Sequence, residues 1–314
     1  MEKDPHPRRG TSGNRAVVSR QPLVVGAPQG QEVKVLVTGA AGQLGTELVR
    51  VFSAAGHDVV ATTHATLDIS DSSAVESVIG ASQPDWILHG AAWTAVDACE
   101  SDPVKAEAVN GGGSRNIVAA ASRVGARVLY VSTDYVFDGT KMSPYVETDP
   151  TNPQSVYGAS KLSGEHAMRA SDLVARISWV CGYHGNNMVK TILRIAASQP
   201  GLKFVDDQIG HPTFADDAAE GMLALVEAGA AGTFHLTNQG AVSWCGFARA
   251  VLEAAGEDPA RVDPIATADL QPPRPAKRPA NSVLDNAALR NAGFELLDDF
   301  RVPLGRLVRR LLAD

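Results

Sequence analysis

Val33, Lys34, Val35, Leu36 and Val37 run into Thr38 and Gly39, and the chain continues as Ala40, Ala41, Gly42, Gln43, Leu44 and Gly45. The first five residues are β-branched-rich, as in a strand buried inside a parallel sheet, and the run ends at a glycine. From Gln43 to Ala55 the apolar residues Leu44, Leu48, Val49 and Phe52 fall on one helical stripe, and Gly56 supplies a stop. A strand over Asp58 to Ala61 closes a strand-helix-strand unit. The three glycines therefore stand between a strand and a helix. There Gly39 permits a tight turn, Gly42 lets the backbone approach a pyrophosphate, and Gly45 lets the helix pack closely on the sheet. The helix N-terminus adds free N–H groups and the positive end of its dipole. Without a ligand, the same spacing would be a plain glycine-rich turn.

Working outward, the alternation continues with a helix near Ser72 to Ile79, a strand at Trp86 to His89, a long helix over Pro103 to Val124 and a strand at Arg127 to Val131. Helix over Tyr157 to Ala170, strand over Leu173 to Ile177 and helix over Met188 to Ala197 follow. The expected class is α/β: a Rossmann doubly wound parallel sheet with a smaller C-terminal α/β lobe that binds substrate. The expected organisation is a disordered tail over 1–32, an NAD(P)-binding core over 33–180, and a lobe over 181–314 interleaved with the last sheet strands. After Lys203 the order is irregular, with helices at Ala215 to Glu227 and Ser243 to Ala255, a proline-rich stretch at Gln271 to Pro279, and a helix from Phe300 to Leu312.

Composition narrows the function classes. A net charge of -7 over 314 residues disfavours a nucleic-acid or anionic-lipid surface. Cys99, Cys181 and Cys245 are three, far apart and without metal-ligand spacing, so neither disulfides nor a metal site is expected. No apolar run reaches the ~18 residues of a membrane span. The expectation is a cytoplasmic protein.

Tyr157 and Lys161 lie four residues apart at the start of a helix and so share one face. Alone, that spacing is usually a solvated helix face; after a glycine turn on a βα alternation it reads as reductase chemistry. Reducing a carbonyl creates an alkoxide that needs a proton, and a phenol with pKa near ~10 is a poor reversible donor until a cation stabilises its phenolate. Lys161 would supply that cation and hold the nicotinamide ribose. Strand Val128 to Val131 leads into Ser132, Thr133 and Asp134, which puts Thr133 at the sheet edge where its hydroxyl can polarise the carbonyl. About 20 residues past the glycines, where NAD-specific folds place an acid, stand Thr62, Thr63 and His64. This leans to NADPH, with NADH as the alternative; the three are equally readable as ordinary loop residues.

Longer strings go further: Val131 to Phe137, Pro144 with Tyr145, Glu147, Val156 to Glu165, Arg176 to Val180, and Asp207 to Thr213. Together they closely resemble the dTDP-4-dehydrorhamnose reductase family of extended short-chain dehydrogenase/reductases, collinearly from about Lys34 to the C-terminus. The resemblance implies NAD(P)H-dependent reduction of the C4 keto group of dTDP-6-deoxy-L-lyxo-4-hexulose. It implies Thr133, Tyr157 and Lys161 as the catalytic triad, and a cofactor held by Gly39, Gly42, Gln43, Leu44, Gly45, Asp68, Ile69, Ala91, Ala92 and Thr94 together with Tyr157 and Lys161. The sugar would be contacted by Val96, Thr133, Asp134 and Trp179; Trp179 is also readable as a core aromatic. Gln208 and Arg278 are further candidates for the nucleotide, although Arg274 and Arg278 also read as a solvated loop.

Two departures are expected to border the pocket. Where the family reads Asn-Ala-Ala-Ala-Tyr-Thr, this chain has His89, Gly90, Ala91, Ala92, Trp93 and Thr94, and Trp-Val-Tyr-Gly is here Trp179, Val180, Cys181 and Gly182. Some members of the family hold Mg²⁺ between subunits. Glu47 matches one of the acids they use, but residues 197–201 offer no second, so no metal is expected and the chain is read as a monomer or homodimer. Two other functions stay open: a related nucleotide-deoxysugar 4-reductase or epimerase, and a non-catalytic NADP-binding regulatory subunit.

Overall fold

In the computed structural model, residues 32–313 and the strand Leu23–Val24 are described. The strands are β1 (Leu23–Val24), β2 (Lys34–Thr38), β3 (Asp58–Thr62), β4 (Trp86–His89), β5 (Arg127–Thr133), β6 (Leu173–Ile177), β7 (Val180–Cys181), β8 (Leu202–Val205), β9 (Ile209–Gly210), β10 (Thr213–Phe214), β11 (Ala230–His235), β12 (Val242–Ser243) and β13 (Val262–Ile265). The helices are α1 (Gln43–Ala54), α2 (Ser72–Ser82), α3 (Val96–Ser101), α4 (Pro103–Ala106), α5 (Gly113–Val124), α6 (Val156–Ala167), α7 (Met188–Ala196), α8 (Ala215–Glu227), α9 (Trp244–Ala254), α10 (Ala287–Asn291) and α11 (Arg301–Ala313).

The apolar strand runs are covered on both faces, which is why they lack alternation. Leu36, Ile87 and Val128 pack with Val75, Ile79 and Ile117 of α2 and α5 on one face. Val35, Val37, Leu88 and Leu129 pack with Leu48, Phe52, Ala219 and Met222 of α1 and α8 on the other. The resulting sheet has the order β1-β11-β6-β5-β4-β2-β3, with every pair parallel except β1 with β11. This is the doubly wound α/β fold. Its strand order reverses at β2, which pairs with β3 on one side and β4 on the other, and ligands of such sheets bind outside the carboxyl ends at that switch. A separate core joins α7, α9 and α11 to β8 and β13 through Ile192, Leu202, Phe247, Val262 and Leu304.

Two expectations need correction. The helix expected over Pro103 to Val124 is interrupted by a π-helical turn, Glu107–Gly112, with the separate helix α3 before it. Gly111, Gly112 and Gly113 weaken the α-helical run there. In addition, Asn110 clasps the Trp93 backbone, accepting from its N–H at 2.8 Å and donating to its carbonyl at 3.1 Å. β11, which follows Lys203, adds a sixth parallel strand beside β6. Lastly, of the tail expected to be disordered, residues 1–22 and 25–31 lie outside the described residues. Leu23–Val24 is a strand pairing with Ala230 and Ala231, since the otherwise unpaired edge of β11 offers N–H and C=O groups to any extended segment.

Candidate active site

The carboxyl ends of β2, β4, β5 and β6 open onto one cavity of about 980 Å³. On its β2 side, Gly39 has φ +72°, and its amide turn is closed by Gly42 N–H donating to the Gly39 carbonyl at 2.9 Å. A Cβ on Gly45 would lie 2.1 Å from the Gly39 oxygen, so α1 starts against the turn only because that position is bare. The N-terminus of α1 has no side-chain cap and no acidic residue in its first turn. Its free N–H groups thus face the cavity beside Gly42, Gln43 and Leu44, an arrangement that fits the pyrophosphate of a dinucleotide. Asp68, Ile69, Ala91, Ala92 and Thr94 line the same cavity, as do Thr63 and His64. Asp68 accepts from the Ser70 hydroxyl and N–H, which hold its carboxyl below the usual range.

Across the cavity α6 carries Tyr157 and Lys161. Its N-cap Ser155 accepts from Gly158 N–H at 3.1 Å. Gly164 brings it close to β5 and Gly158 close to the turn that follows, since a Cβ at Gly164 would sit 2.2 Å from Tyr130 Oη and one at Gly158 2.2 Å from Tyr135 O. Close approach lets the buried Lys161 Nζ donate to the Val131 carbonyl at 2.7 Å and rest 4.1 Å from the Tyr130 ring. Burial lowers Lys161 to about 7, with Glu165 opposing. At the end of β5, Thr133 Oγ1 donates to Asp134 Oδ1 at 3.0 Å. Asp134 is 1% exposed, and burial raises its carboxyl to about 6 against the hydroxyls of Ser282 and Thr133. Its Oδ2 has no hydrogen-bond partner, an orphan suited to a ligand hydroxyl.

The phenol behaves differently from the sequence expectation. Burial first, then the Asp134 carboxylate, push Tyr157 well above its ordinary value, and the nearby Thr133 hydroxyl only partly offsets them. The Lys161 ammonium is turned to the Val131 carbonyl.

Val96, Thr133, Asp134, Trp179, Tyr157 and Lys161 all line the cavity together with the glycine turn. The two departures do not both border it. Trp93 does, but His89 is fully packed behind it, bridging Thr38 Oγ1 at 2.8 Å and Ser114 Oγ at 3.1 Å, and burial lowers its imidazole to about 3. Cys181 is likewise buried in the lobe core, and its thiol is pushed up to about 12. Gln208 donates to Thr267 at 2.9 Å, away from the cavity. Arg278 holds Asp97 in two bonds of 2.5 and 2.8 Å, and Arg274 lies 3.6 Å from the same carboxylate. Glu47 accepts from Arg50 at 2.6 Å; among the described residues no group of three His, Cys, Asp or Glu could hold a metal. No helix among them is long and apolar enough to cross a membrane. Sequence reasoning missed Lys105, 4.5 Å over the Trp93 ring, and Trp244, stacked on Trp179; both line the cavity.

Residues 33–313 match the family model described as RmlD substrate binding domain. The chain is 43% identical over 300 residues to a dTDP-4-dehydrorhamnose reductase of Burkholderia thailandensis, covering 90% of this chain and 100% of that one. It is 37% identical over 283 residues to a dTDP-4-keto-6-deoxy-D-glucose reductase of Streptomyces niveus, covering 89% and 98%. Among solved structures, a dTDP-4-dehydrorhamnose reductase of Bacillus anthracis in complex with NADP superposes with a TM-score of 0.85 at 34% identity, covering 89% of this chain and 100% of that chain.

Proposed function

The chain belongs to the dTDP-4-dehydrorhamnose reductase family of NAD(P)H-dependent oxidoreductases, and from that premise we propose that it reduces the C4 keto group of dTDP-6-deoxy-L-lyxo-4-hexulose to give dTDP-L-rhamnose, with Tyr157 as proton donor. The observation that carries this reading is the meeting of Tyr157, Lys161, Thr133 and Asp134 with an uncapped, glycine-lined helix N-terminus in one cavity. The NADP complex of the Bacillus anthracis relative supports NADPH as the cofactor, and no carboxylate stands at Thr62, Thr63 or His64 to repel a 2′-phosphate.

When bound, the reduced nicotinamide supplies the electron pair of the reduction as hydride. Gly39, Gly42 and the first turn of α1 hold the pyrophosphate; Asp68, Ile69, Ala91, Ala92 and Thr94 line the rest of the cofactor's seat. Tyr157, kept protonated by its buried setting, hands its proton to the oxygen that was the ketone. An alkoxide is a stronger base than a phenolate, so the phenol donates its proton to it downhill. Thr133 donates to the same oxygen, Asp134 accepts from a sugar hydroxyl, and Val96 and Trp179 wall the sugar. Lys161 holds the nicotinamide ribose and offsets the charge left on Tyr157.

The test is purified protein with NADPH and the keto sugar, followed at the nicotinamide absorbance and by product identification. Turnover to dTDP-L-rhamnose is expected; NADPH binding without turnover on any 4-keto sugar would overturn the reading in favour of a cofactor-binding subunit. The Streptomyces niveus relative favours a second reading, reduction of dTDP-4-keto-6-deoxy-D-glucose. Faster turnover of that sugar would establish it instead.

Two further outcomes follow. Gly45→Ala is expected to weaken NADPH binding by ~10- to 100-fold, about 1.4 to 2.8 kcal/mol, because its methyl would overlap backbone that cannot rotate away. An unchanged Kd by fluorescence titration would place the pyrophosphate elsewhere. The pH profile of kcat/KM should be bell-shaped. Activity falls as pH drops through about 6, where Asp134 gains its proton. It also falls as pH rises through about 7, where Lys161 loses its charge in the free enzyme. A profile flat across that range would remove both groups from the mechanism.

A further inference from the structure

We propose that Trp244 is a positioning residue that clamps Trp179 as the wall of the sugar end of the cavity, so that the C-terminal lobe sets affinity for the nucleotide sugar. The inference rests on the reading that this cavity takes such a sugar. The two indoles are nearly parallel, with centroids 3.6 Å apart and planes 9° apart. Aromatic pairs usually settle offset or edge-on with centroids about 4.5 to 7 Å apart, so this sandwich is imposed by its surroundings. Trp179 also has φ 45°, a backbone conformation in which a bulky residue persists only when neighbours over-determine it.

Those neighbours come from the lobe. Gly210 stands at the edge of the Trp179 ring, where a Cβ would lie 2.7 Å from Cε2 and 2.8 Å from Ser282 Oγ. Trp244 covers the ring's face. Gly210 and Trp244 are held in register because Ser243 and Val242 of β12 pair with Ile209 and Gly210 of β9. Ser243 then caps α9 by accepting from Gly246 N–H at 3.0 Å, which fixes Trp244 as the first helical residue. Behind it Trp244 meets the fully buried Phe247 edge-on at 6.1 Å, anchoring the clamp in the lobe core. Neither indole is fully buried and both line the cavity, so the stack forms part of the pocket wall. Ser282, whose hydroxyl bears on Asp134, borders the same slot, which ties the clamp to the carboxylate expected to accept from the sugar.

The experiment uses the full chain carrying Trp244→Ala, Trp244→Phe or Gly210→Ala. Loss of the stack in Trp244→Ala should raise KM for the keto sugar about 10-fold, with kcat within about 3-fold and the Kd for NADPH within about 2-fold. Trp244→Phe should recover most of the loss. Gly210→Ala should raise KM with Trp244 still in place, by displacing the Trp179 ring from its edge. Far-ultraviolet circular dichroism supplies a readout without substrate: the exciton couplet of two stacked indoles should be present in the unaltered protein and absent in Trp244→Ala. An unchanged KM overturns the proposal. So does a rise in KM matched by the NADPH Kd, or a Phe variant as poor as Ala. A missing couplet overturns the clamp whatever the turnover. A couplet without turnover on any nucleotide sugar overturns the functional reading, and with it the assignment of this wall to a sugar.

Discussion

Tyr157→Phe is expected to lower kcat for keto-sugar reduction by ~10²- to 10⁴-fold while leaving the NADPH Kd within about threefold. The substitution removes one hydroxyl and keeps the ring, whose edge-on contact with Tyr135 at 5.6 Å and burial are undisturbed. What disappears is the phenol assigned as proton donor, which the Thr133 hydroxyl bonds at the end of β5. Tyr135 also lines the cavity, but Tyr135 sits against Arg278 and Asp97 and belongs to that ion-pair cluster. Lys161→Met should give a comparable fall in kcat and, unlike Tyr157→Phe, a weaker NADPH complex, because Lys161 is assigned both to the phenolate and to the ribose. If the two act as a unit, the double variant should be no worse than the poorer single one. Full activity in Tyr157→Phe, measured at saturating sugar and cofactor, would assign the proton to another donor.

The parts of this site that were legible in the sequence are those whose chemistry is local. Gly39, Gly42 and Gly45 act through backbone geometry within one turn, and Tyr157 with Lys161 act through the repeat of one helix, so spacing alone locates them. The direction of the phenol's shift was not legible, since it depends on how deeply α6 sinks onto β5 and the turn that follows it, which Gly164 and Gly158 decide. Trp244 was invisible for a different reason: its partner lies 65 positions away by number, and only the β9–β12 pairing brings the two indoles together. The same holds for Arg278, whose partner Asp97 is 181 residues away in sequence. Secondary structure followed this division. Strands rich in large apolar residues, such as β4 and β6, were readable, whereas β11, Ala230 to His235, begins with two alanines and a glycine and owes its place to pairing with β6. The paired strands β7, β9, β10 and β12 are too short for any period to register.

Arg176→Met is expected to be the most destabilising single change beneath the site, by ~3–5 kcal/mol. Arg176 on β6 grips Glu165 of α6 through two bonds, Nη2 to Oε2 at 2.7 Å and Nε to Oε1 at 2.9 Å, and both side chains are buried. Ser132 adds a hydroxyl bond to Oε1, so the carboxylate is held below its ordinary range despite desolvation. Removing the guanidinium leaves a buried carboxylate whose main compensation is gone. At ~2–4 °C per kcal/mol, the fall in Tm should be about 6 to 20 °C at pH 7. The sign of the pH dependence is fixed by the shift. In the unaltered protein Glu165 is depressed when folded, so its stabilisation is complete above the ordinary glutamate value of 4.5 and is lost as pH falls through the folded value. In the variant burial dominates and the folded value rises above 4.5, so stability is lost as pH rises instead. The gap in Tm should therefore be widest near neutrality and close toward pH ~4. Catalysis should report the same event, because the Glu165 charge supports Lys161. With Glu165 neutralised, the alkaline limb of kcat/KM should move below about 7. Arg176→Met combined with Glu165→Leu should recover much of the stability, since an apolar pair of similar volume leaves no buried charge. A Tm unchanged in Arg176→Met would show that the pair is dispensable to the fold, and an unmoved alkaline limb would uncouple it from Lys161.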